Sequence, residues 1–506
     1  MGIVYKQSSK NIIFTYIGFI IGAINTIFLY TYFLSEKEYG LISYILSTSN
    51  ILMPLMAFGV HQTFIKYYSS YNNDKEKQNF ITLMLFLPIV MILLSTIITN
   101  IFYKEIFYFI SKKNPEVGDY IYYILILSII IAYFEVFCAW AKVHLRTTEG
   151  VFLREVFPRI FVFILLFGIY FQWYNFDFFI IGLLFCYFIR TIIMLYISFK
   201  IELPKLSFRR LQNRNSILKY SIFIILSGSI SSLFIDIDKF MLNQYVSLNE
   251  IAVYTVSVFI ATFIVVPQRS IYQIISPIVA KNINSGNKKE LKSIYKDSTE
   301  TIFLISGIIF VLILSNKDQI YALLSSKSYE NGNLVLFFMC LIKLLDTMNT
   351  TGNAILFNSN SYKYILYSGI FLLLSIIGLN MIFIPKWGIN GAVISSFISF
   401  MLYNIIKIYY VYKESQLIPF SKEFLRNVLF IMGLFFSFYY VSFPFIAIIN
   451  ILLKSVIIGI VSILLILKYN LSNIFSNIVR SKVENLKNST IIKIYNIISY
   501  KKYKIE

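Results

Sequence analysis

Residues 230–240 read Ile-Ser-Ser-Leu-Phe-Ile-Asp-Ile-Asp-Lys-Phe, and residues 258–269 read Val-Phe-Ile-Ala-Thr-Phe-Ile-Val-Val-Pro-Gln-Arg. They are the charged parts of two consecutive apolar helices predicted over 217–279. An ionisable side chain held in hydrocarbon costs roughly 2.5–3.5 kcal/mol even on the lenient insertion scale, so such groups face a polar interior and pair or work there. Asp236, Asp238, Lys239 and Arg269, with Pro267 bending the second helix, mark a cavity inside a membrane protein.

The rest of the chain agrees. Of its 506 residues 58% are hydrophobic and only 14% charged, and the mean hydropathy is +0.72, far from soluble globular proteins. The apolar runs are continuous rather than alternating, which predicts helices and excludes a transmembrane β-barrel. The fold class is an all-α polytopic membrane protein with about 14 spans. These lie near 11–33, 41–65, 80–102, 120–141, 152–172, 177–199, 217–245, 250–279, 299–315, 332–357, 362–384, 389–411, 425–444 and 446–467.

A net charge of +20 would suggest nucleic acid in a soluble chain. Here the basic residues gather on alternate loops. Lys205, Arg209, Arg210 and Arg214 follow the sixth span and Lys281, Lys288, Lys289, Lys292 and Lys296 the eighth, while the turns at 172–177 and 244–250 hold none. This asymmetry predicts a multi-pass protein with both termini in the cytoplasm and no nucleic-acid partner. Lys6 and Lys10 precede a first span without a small-x-small cleavage site, which reads as uncleaved. Cys138, Cys186 and Cys340 fall inside predicted helices, and with His61 and His144 scattered among them no disulfide framework or metal site is expected.

Sliding the sequence on itself by about 212 residues brings two halves into register. Ser35-Glu36-Lys37-Glu38 matches Ser247-Leu248-Asn249-Glu250, both S-x-x-E capping boxes, and Lys104-Glu105-Ile106-Phe107-Tyr108 meets Lys317-Asp318-Gln319-Ile320-Tyr321. The predicted organisation is a six-helix bundle over 1–200, a basic cytoplasmic linker over 201–215, a second six-helix bundle over 216–413 and two further helices over 414–470. A tail over 471–506 follows, either a basic amphipathic helix on the inner leaflet or a solvated basic segment. An even number of spans per half gives both halves the same orientation, with substrate expected between them.

Asp236 and Lys239 are three residues apart on one helix face and can pair, whereas Asp238 points the opposite way. Asp238, with Asp236 beside it, is the candidate for cation or proton coupling; capping near the outer interface is the alternative. The Arg269 guanidinium can grip a phosphate bidentately or snorkel to the inner interface. Lys66 and Lys10 can attract an anionic headgroup or serve only the positive-inside pattern. Lys343 with Asp346 and Glu135 with Arg190 are expected intramembrane ion pairs; Arg159 lies close enough to the inner interface to need no function. Pro54 and Pro267 nearly coincide under the repeat, which predicts paired bent helices. Gly18-x-x-x-Gly22 allows close helix packing, and Ser227–Ser232 gives a small polar stripe. No phosphate-cradling Gly-rich loop, no nucleophile beside a histidine and no nucleotide-binding domain is found. The chain reads as a transporter without a cofactor, not an enzyme.

Ser9-Lys10-Asn11, Glu38-Tyr39-Gly40-Leu41, Gly59 leading to Lys66-Tyr67-Tyr68, Asp236-x-Asp238-Lys239 and Ile384-Pro385-Lys386-Trp387-Gly388-Ile389-Asn390-Gly391-Ala392, in this order over about residues 8–468, resemble the bacterial polysaccharide flippases. These are the O-antigen and capsule exporters of the multidrug/oligosaccharidyl-lipid/polysaccharide (MOP) superfamily. The resemblance implies two bundles around a cationic cavity in the bacterial cytoplasmic membrane. It implies an undecaprenyl-pyrophosphate-linked oligosaccharide moved from the inner to the outer leaflet by alternating access, with membrane lipids, a glycan polymerase and chain-length machinery as partners. The pyrophosphate would fall to Arg269 with help from Lys66 and Lys239. The sequence departs from the basic members of the family in that its first span has no cation beyond Lys10 and Arg269 is the only arginine of the first, second, seventh and eighth spans, which are expected to line the cavity. A cation-coupled exporter of small amphiphiles is the alternative, although the drug-extruding cousins typically have twelve spans and an acidic residue in the first.

Overall fold

The computed structural model describes residues 2–71, 73–207, 211, 213–227, 230–359 and 362–472. The expected tail from 473 on, Gly228 and Ser229 of the small polar stripe, and Arg209 and Arg210 of the linker lie outside them. The described secondary structure is helical throughout, without a strand.

Eight helices among the described residues are each long and apolar enough to cross a membrane, and ten if two bent pairs each count as one span. Asp74–Ile101, for example, has 28 residues, a rise of roughly 42 Å. The remaining apolar windows lie on shorter or broken pieces. The fifth covers Thr148–Glu155 and Phe157–Tyr170, the seventh Arg214–Ser227 and Ile230–Leu242, and the thirteenth Lys422–Tyr439. The eleventh and twelfth share one run, Tyr362–Ser415, broken at Gly388 with φ 54° and ψ −131°.

Both capping boxes form. Ser35 Oγ accepts from the Glu38 N–H at 3.3 Å while Glu38 Oε2 accepts from the Ser35 N–H at 2.8 Å; Ser247 and Glu250 repeat this at 3.4 and 3.1 Å. The expected bend at Pro54 has a local cause. Pro54 lies in the last turn of Glu36–Met56, the chain reverses φ at Phe58 and Gly59, and the next helix leaves at 45°. Pro267 sits in the first turn of Val266–Asn284, where no N–H is needed, directly after a 3-10 turn at Thr262–Val265.

The chain forms two compact units that interleave in sequence. The first comprises Met1–Phe263, Ile320–Ile342 and Ser361–Lys407. In it the two capped helices, Glu36–Met56 and Leu248–Ala261, touch at Gly40, where a Cβ would lie 1.9 Å from the Leu248 carbonyl oxygen. Val60, Phe64, Phe80 and Trp140 build a buried apolar cluster beside Ile217. The helix of residues 2–23 continues into a π-helical turn, Ile24–Leu29, whose buried Asn25 donates to the Arg159 carbonyl at 2.8 Å.

The second unit comprises Ile264–Gln319, Lys343–Asn360 and the chain from Ile408. Its helix Lys288–Ser315 receives Lys422–Tyr439 along a seam in which Phe303 meets Phe424 at 4.7 Å and Ile431 covers Gly307. Lys454 of Ala447–Tyr469, 1% exposed, donates to the Ser315 carbonyl at the C-terminus of that helix, where a cation suits the helix dipole. The two terminal helices are thereby docked on the ninth apolar segment.

Candidate functional site

Ile230–Leu242 carries Asp236, Asp238 and Lys239, and the helical period sends the middle residue away from its neighbours. Asp236 has Lys239 along its own helix and Ser47 and Asn50 across from it. Asp238 faces the other way and is completely buried. Three neutral donors surround its carboxylate. Tyr254 Oη and Ser396 Oγ each donate to Oδ2 at 2.6 Å, and Asn380 Nδ2 donates to Oδ1 at 2.8 Å.

The break at Gly388 makes this shell. Asn380 stands on the arm before it and Ser396 on the arm after it, so one glycine in a conformation closed to other residues folds two donors back onto one carboxylate. A Cβ at Gly388 would meet Val246 Cγ1 at 3.3 Å. Asn380 Oδ1 is buried without a hydrogen-bond partner. With the Asn380 amide as it stands the site can hold a charge or a proton on Asp238; with that amide turned over, a carboxylate, two hydroxyls and an amide oxygen would suit a small hard cation. Sequence reasoning singled out Asp238 and missed its donors; the one available signal was an asparagine inside a long apolar run at 362–384.

Lys66 ends the helix Val60–Tyr67 in an aromatic bracket. Its Nζ is 3.7 Å from the centroid of Tyr220 and 5.4 Å from that of Tyr67, and the two rings meet edge to face. The helix is held there because Gly59, at φ 63°, lets the chain approach the Ser221 carbonyl, and Thr63 and Ser221 hydroxyls meet at 2.9 Å.

In the second unit Arg269 is exposed on Val266–Asn284. The adjacent Gln268 Nε2 reaches the Asp346 carboxylate at 3.5 Å, and the buried Lys343 has Asp346 and Arg269 as its charged neighbours. Groups expected to act separately thus share one polar patch with two cations and one carboxylate.

The expected Glu135–Arg190 pair is replaced. Glu135 is bridged by Arg154 at 2.5 Å, because the fifth segment breaks at Val156 and its first piece, Thr148–Glu155, presents Arg154 to the fourth helix. Arg190 is 4% exposed, and its guanidinium carbon is 4.0 Å from the ring centroid of Phe134 and 4.4 Å from that of Tyr187, within cation–π contact of both. Arg159 is packed between its own helix and the first. It pairs with Glu155 at 2.7 Å and lies across Gly18 and Gly22, so the small residues of the first helix accommodate a guanidinium.

The segment that follows Phe176–Ile201 has its own anchor, which sequence reasoning did not find. Glu202 accepts from Tyr68 Oη at 2.7 Å and Gln78 Nε2 at 2.9 Å, and Lys77 Nζ and His144 Nε2 lie 3.3 and 3.1 Å away. Burial pushes the Glu202 carboxyl up, but the hydrogen bond from Tyr68 and the Lys77 charge outweigh it and hold it below the ordinary carboxylate value.

A family model described as polysaccharide biosynthesis protein matches residues 4–282, and a second, MatE, matches residues 224–384. No curated protein matches. Among solved structures the chain is similar to a lipid II flippase, MurJ, in an inward closed conformation, with a TM-score of 0.72 at 17% identity over 90% of this chain and 98% of that one. It is also similar to the MATE multidrug transporter DinF-BH, with a TM-score of 0.56 at 13% identity over 81% of this chain and 95% of that one. A MOP superfamily transporter from Pyrococcus furiosus is comparable (0.53, 17%, 85% and 96%). At these identities the likeness concerns the fold.

Proposed function

Because the chain belongs to the polysaccharide biosynthesis protein family of the MOP exporter superfamily, we propose that it is a flippase for an undecaprenyl-pyrophosphate-linked oligosaccharide. It moves that lipid from the inner to the outer leaflet of a bacterial cytoplasmic membrane during surface polysaccharide synthesis. The observation that carries the reading is the match over residues 4–282, which spans the first expected bundle and the charged hairpin together. The likeness of fold to a lipid II flippase over 90% of the chain supports it.

In this reading both termini are cytoplasmic, and the repeats 1–200 and 216–413, linked by 201–215, alternate access to the two sides. Arg269 is the principal pyrophosphate contact because a guanidinium matches two phosphate oxygens at once. Lys343, near it, adds charge; Lys66 and Lys239 are further cations for the headgroup. Asp238 is the coupling group. While it is ionised, Tyr254, Asn380 and Ser396 close on it; a proton or a cation changes what those donors can bind, and with it the set of the two arms around Gly388.

The test is leaflet-resolved. Controlled shut-off of the protein, followed by a membrane-impermeant glycan probe on intact and inverted vesicles, should find lipid-linked oligosaccharide accumulating on the cytoplasmic face, reversed by the wild-type chain. An unchanged distribution would remove the glycan reading. The second reading, a cation-coupled exporter of small amphiphiles, is favoured by one observation, the MatE match over 224–384, which contains Asp238, Tyr254 and Asn380. It predicts drug sensitivity on deletion with normal surface glycan.

A further inference from the structure

Within the first unit a cavity of about 750 Å³ lies among the start of the first helix, the piece Thr148–Glu155 and the end of the sixth helix. It is two-sided in chemistry. Lys10, Arg146 and Glu149 line one part, and Phe14, Phe157 and Ile197 belong to the apolar remainder. Among the described residues none of the three charged groups enters an ion pair with another protein side chain, so two cations and one carboxylate stand ready for an outside partner.

The polar rim is built rather than incidental. Gln7 Nε2 donates to the Leu145 carbonyl at 2.5 Å, Asn11 Nδ2 donates to Thr147 Oγ1 at 2.9 Å, and Thr147 Oγ1 donates to Gln7 Oε1 at 3.0 Å. These bonds fix the loop that carries Arg146 against the helix that carries Lys10. They also hold Leu145 at φ 59°, a conformation unfavourable for its side chain, with that side chain outward and 64% exposed. On the apolar side Ile13 and Ile17 of the first helix and Ile192 and Tyr196 of the sixth are exposed next to the lining residues, as surfaces in contact with lipid are.

We propose that this cavity is a binding site for an aminophospholipid of the cytoplasmic leaflet, distinct from the transported lipid. Its phosphate is held by Lys10 and Arg146, its primary ammonium by Glu149, and the start of an acyl chain by the phenylalanines and Ile197. Charge complementarity selects this occupant. A phosphate alone satisfies the two cations and leaves the carboxylate unmatched. A choline headgroup carries no N–H for it, whereas an ethanolamine headgroup supplies three. The leaflet follows from the topology proposed above; the headgroup chemistry does not depend on what the protein transports.

Delipidated full-length protein is titrated with phosphatidylethanolamine, phosphatidylcholine and phosphatidylglycerol of identical acyl chains, and retained lipid is counted by native mass spectrometry. Phosphatidylethanolamine should be retained over phosphatidylcholine by roughly tenfold, the worth of one charge-assisted hydrogen bond. E149Q should erase that preference while keeping phospholipid binding, and R146Q should weaken all three lipids. I197W, which fills the apolar part, should also weaken all three and serves if E149Q does not fold. Equal retention of ethanolamine and choline lipids by the wild type would overturn the assignment. So would a preference that survives E149Q, retention unchanged by I197W, or displacement of bound phosphatidylethanolamine by equimolar undecaprenyl pyrophosphate, which would make the cavity a route of the transported lipid.

Discussion

Asn380 donates to Asp238 at 2.8 Å across 142 residues of sequence. The contact exists because the helical run that carries Asn380 turns back at Gly388 and brings Ser396 to the same carboxylate. Removing one donor leaves a buried carboxylate oxygen unpaired, which costs about 1–3 kcal/mol. N380L should therefore lower the melting temperature of the purified protein, and D238N, which keeps the shape and removes the charge, should lower it less. If coupling runs through Asp238, D238N vesicles will also lose the response of transport to an imposed proton or sodium gradient while remaining folded.

Gly388 is the joint on which that shell depends. With φ 54° and ψ −131° it occupies a positive-φ region nearly reserved for glycine, which costs another residue roughly 1–3 kcal/mol, and a Cβ there would also press on Val246 at 3.3 Å. G388A is expected to destabilise the protein and to weaken gradient coupling in parallel with N380L. A variant that melts like wild type and couples normally would show that the two arms are set elsewhere.

Gly40 makes a sharper test of packing. Its missing Cβ would fall 1.9 Å from a backbone oxygen at the start of Leu248–Ala261, which cannot rotate away as a side chain can. G40A should cost about 1–3 kcal/mol of stability through forced separation of the two capped helices. Thermal unfolding in detergent, read against G433A, where a Cβ meets nothing within 4 Å, separates this from a general loss of glycine.

Much of this was legible in the chain because it depends on local rules. Hydropathy placed helices, S-x-x-E placed two helix starts, Pro54 and Pro267 marked two joints, and the i, i+3 rule separated Asp238 from Asp236 and Lys239. What escaped depends on contacts far apart in sequence. Nothing local says that Asn380 and Ser396 belong to Asp238, that Arg154 rather than Arg190 meets Glu135, or that Arg159 lies over Gly18 and Gly22. Each follows from a break in a helix, at Gly388 or Val156, whose direction hydrophobic periodicity does not encode.

Arg269 tests the headgroup assignment. R269E should abolish surface glycan at unchanged protein level, because it reverses charge where two phosphate oxygens are to be held. R269K should retain only part of the transport, since an ammonium cannot make the paired contact. Normal surface glycan in R269E would take Arg269 out of the site and leave Lys343 as the cation of that patch.

Glu202 gives a pH-dependent prediction whose sign is fixed by its surroundings. Tyr68, Gln78 and Lys77 all favour the ionised carboxylate, so in the folded protein it binds its proton less readily than in the unfolded chain. Between the two values the unfolded chain holds more protons, and stability must rise with pH there. The stabilisation is complete above the ordinary carboxylate value of 4.5 and is lost as pH falls through the lower, folded value. Melting temperatures measured from about pH 7 downward should show wild type falling toward E202Q at acidic pH, while E202Q, which lacks the titrating group but keeps an oxygen for Tyr68, loses less over the same interval. Parallel curves for the two proteins would mean that the linker anchor is held by its backbone contacts, such as Lys205 N–H to Gln78 at 2.8 Å, and not by the charge on Glu202.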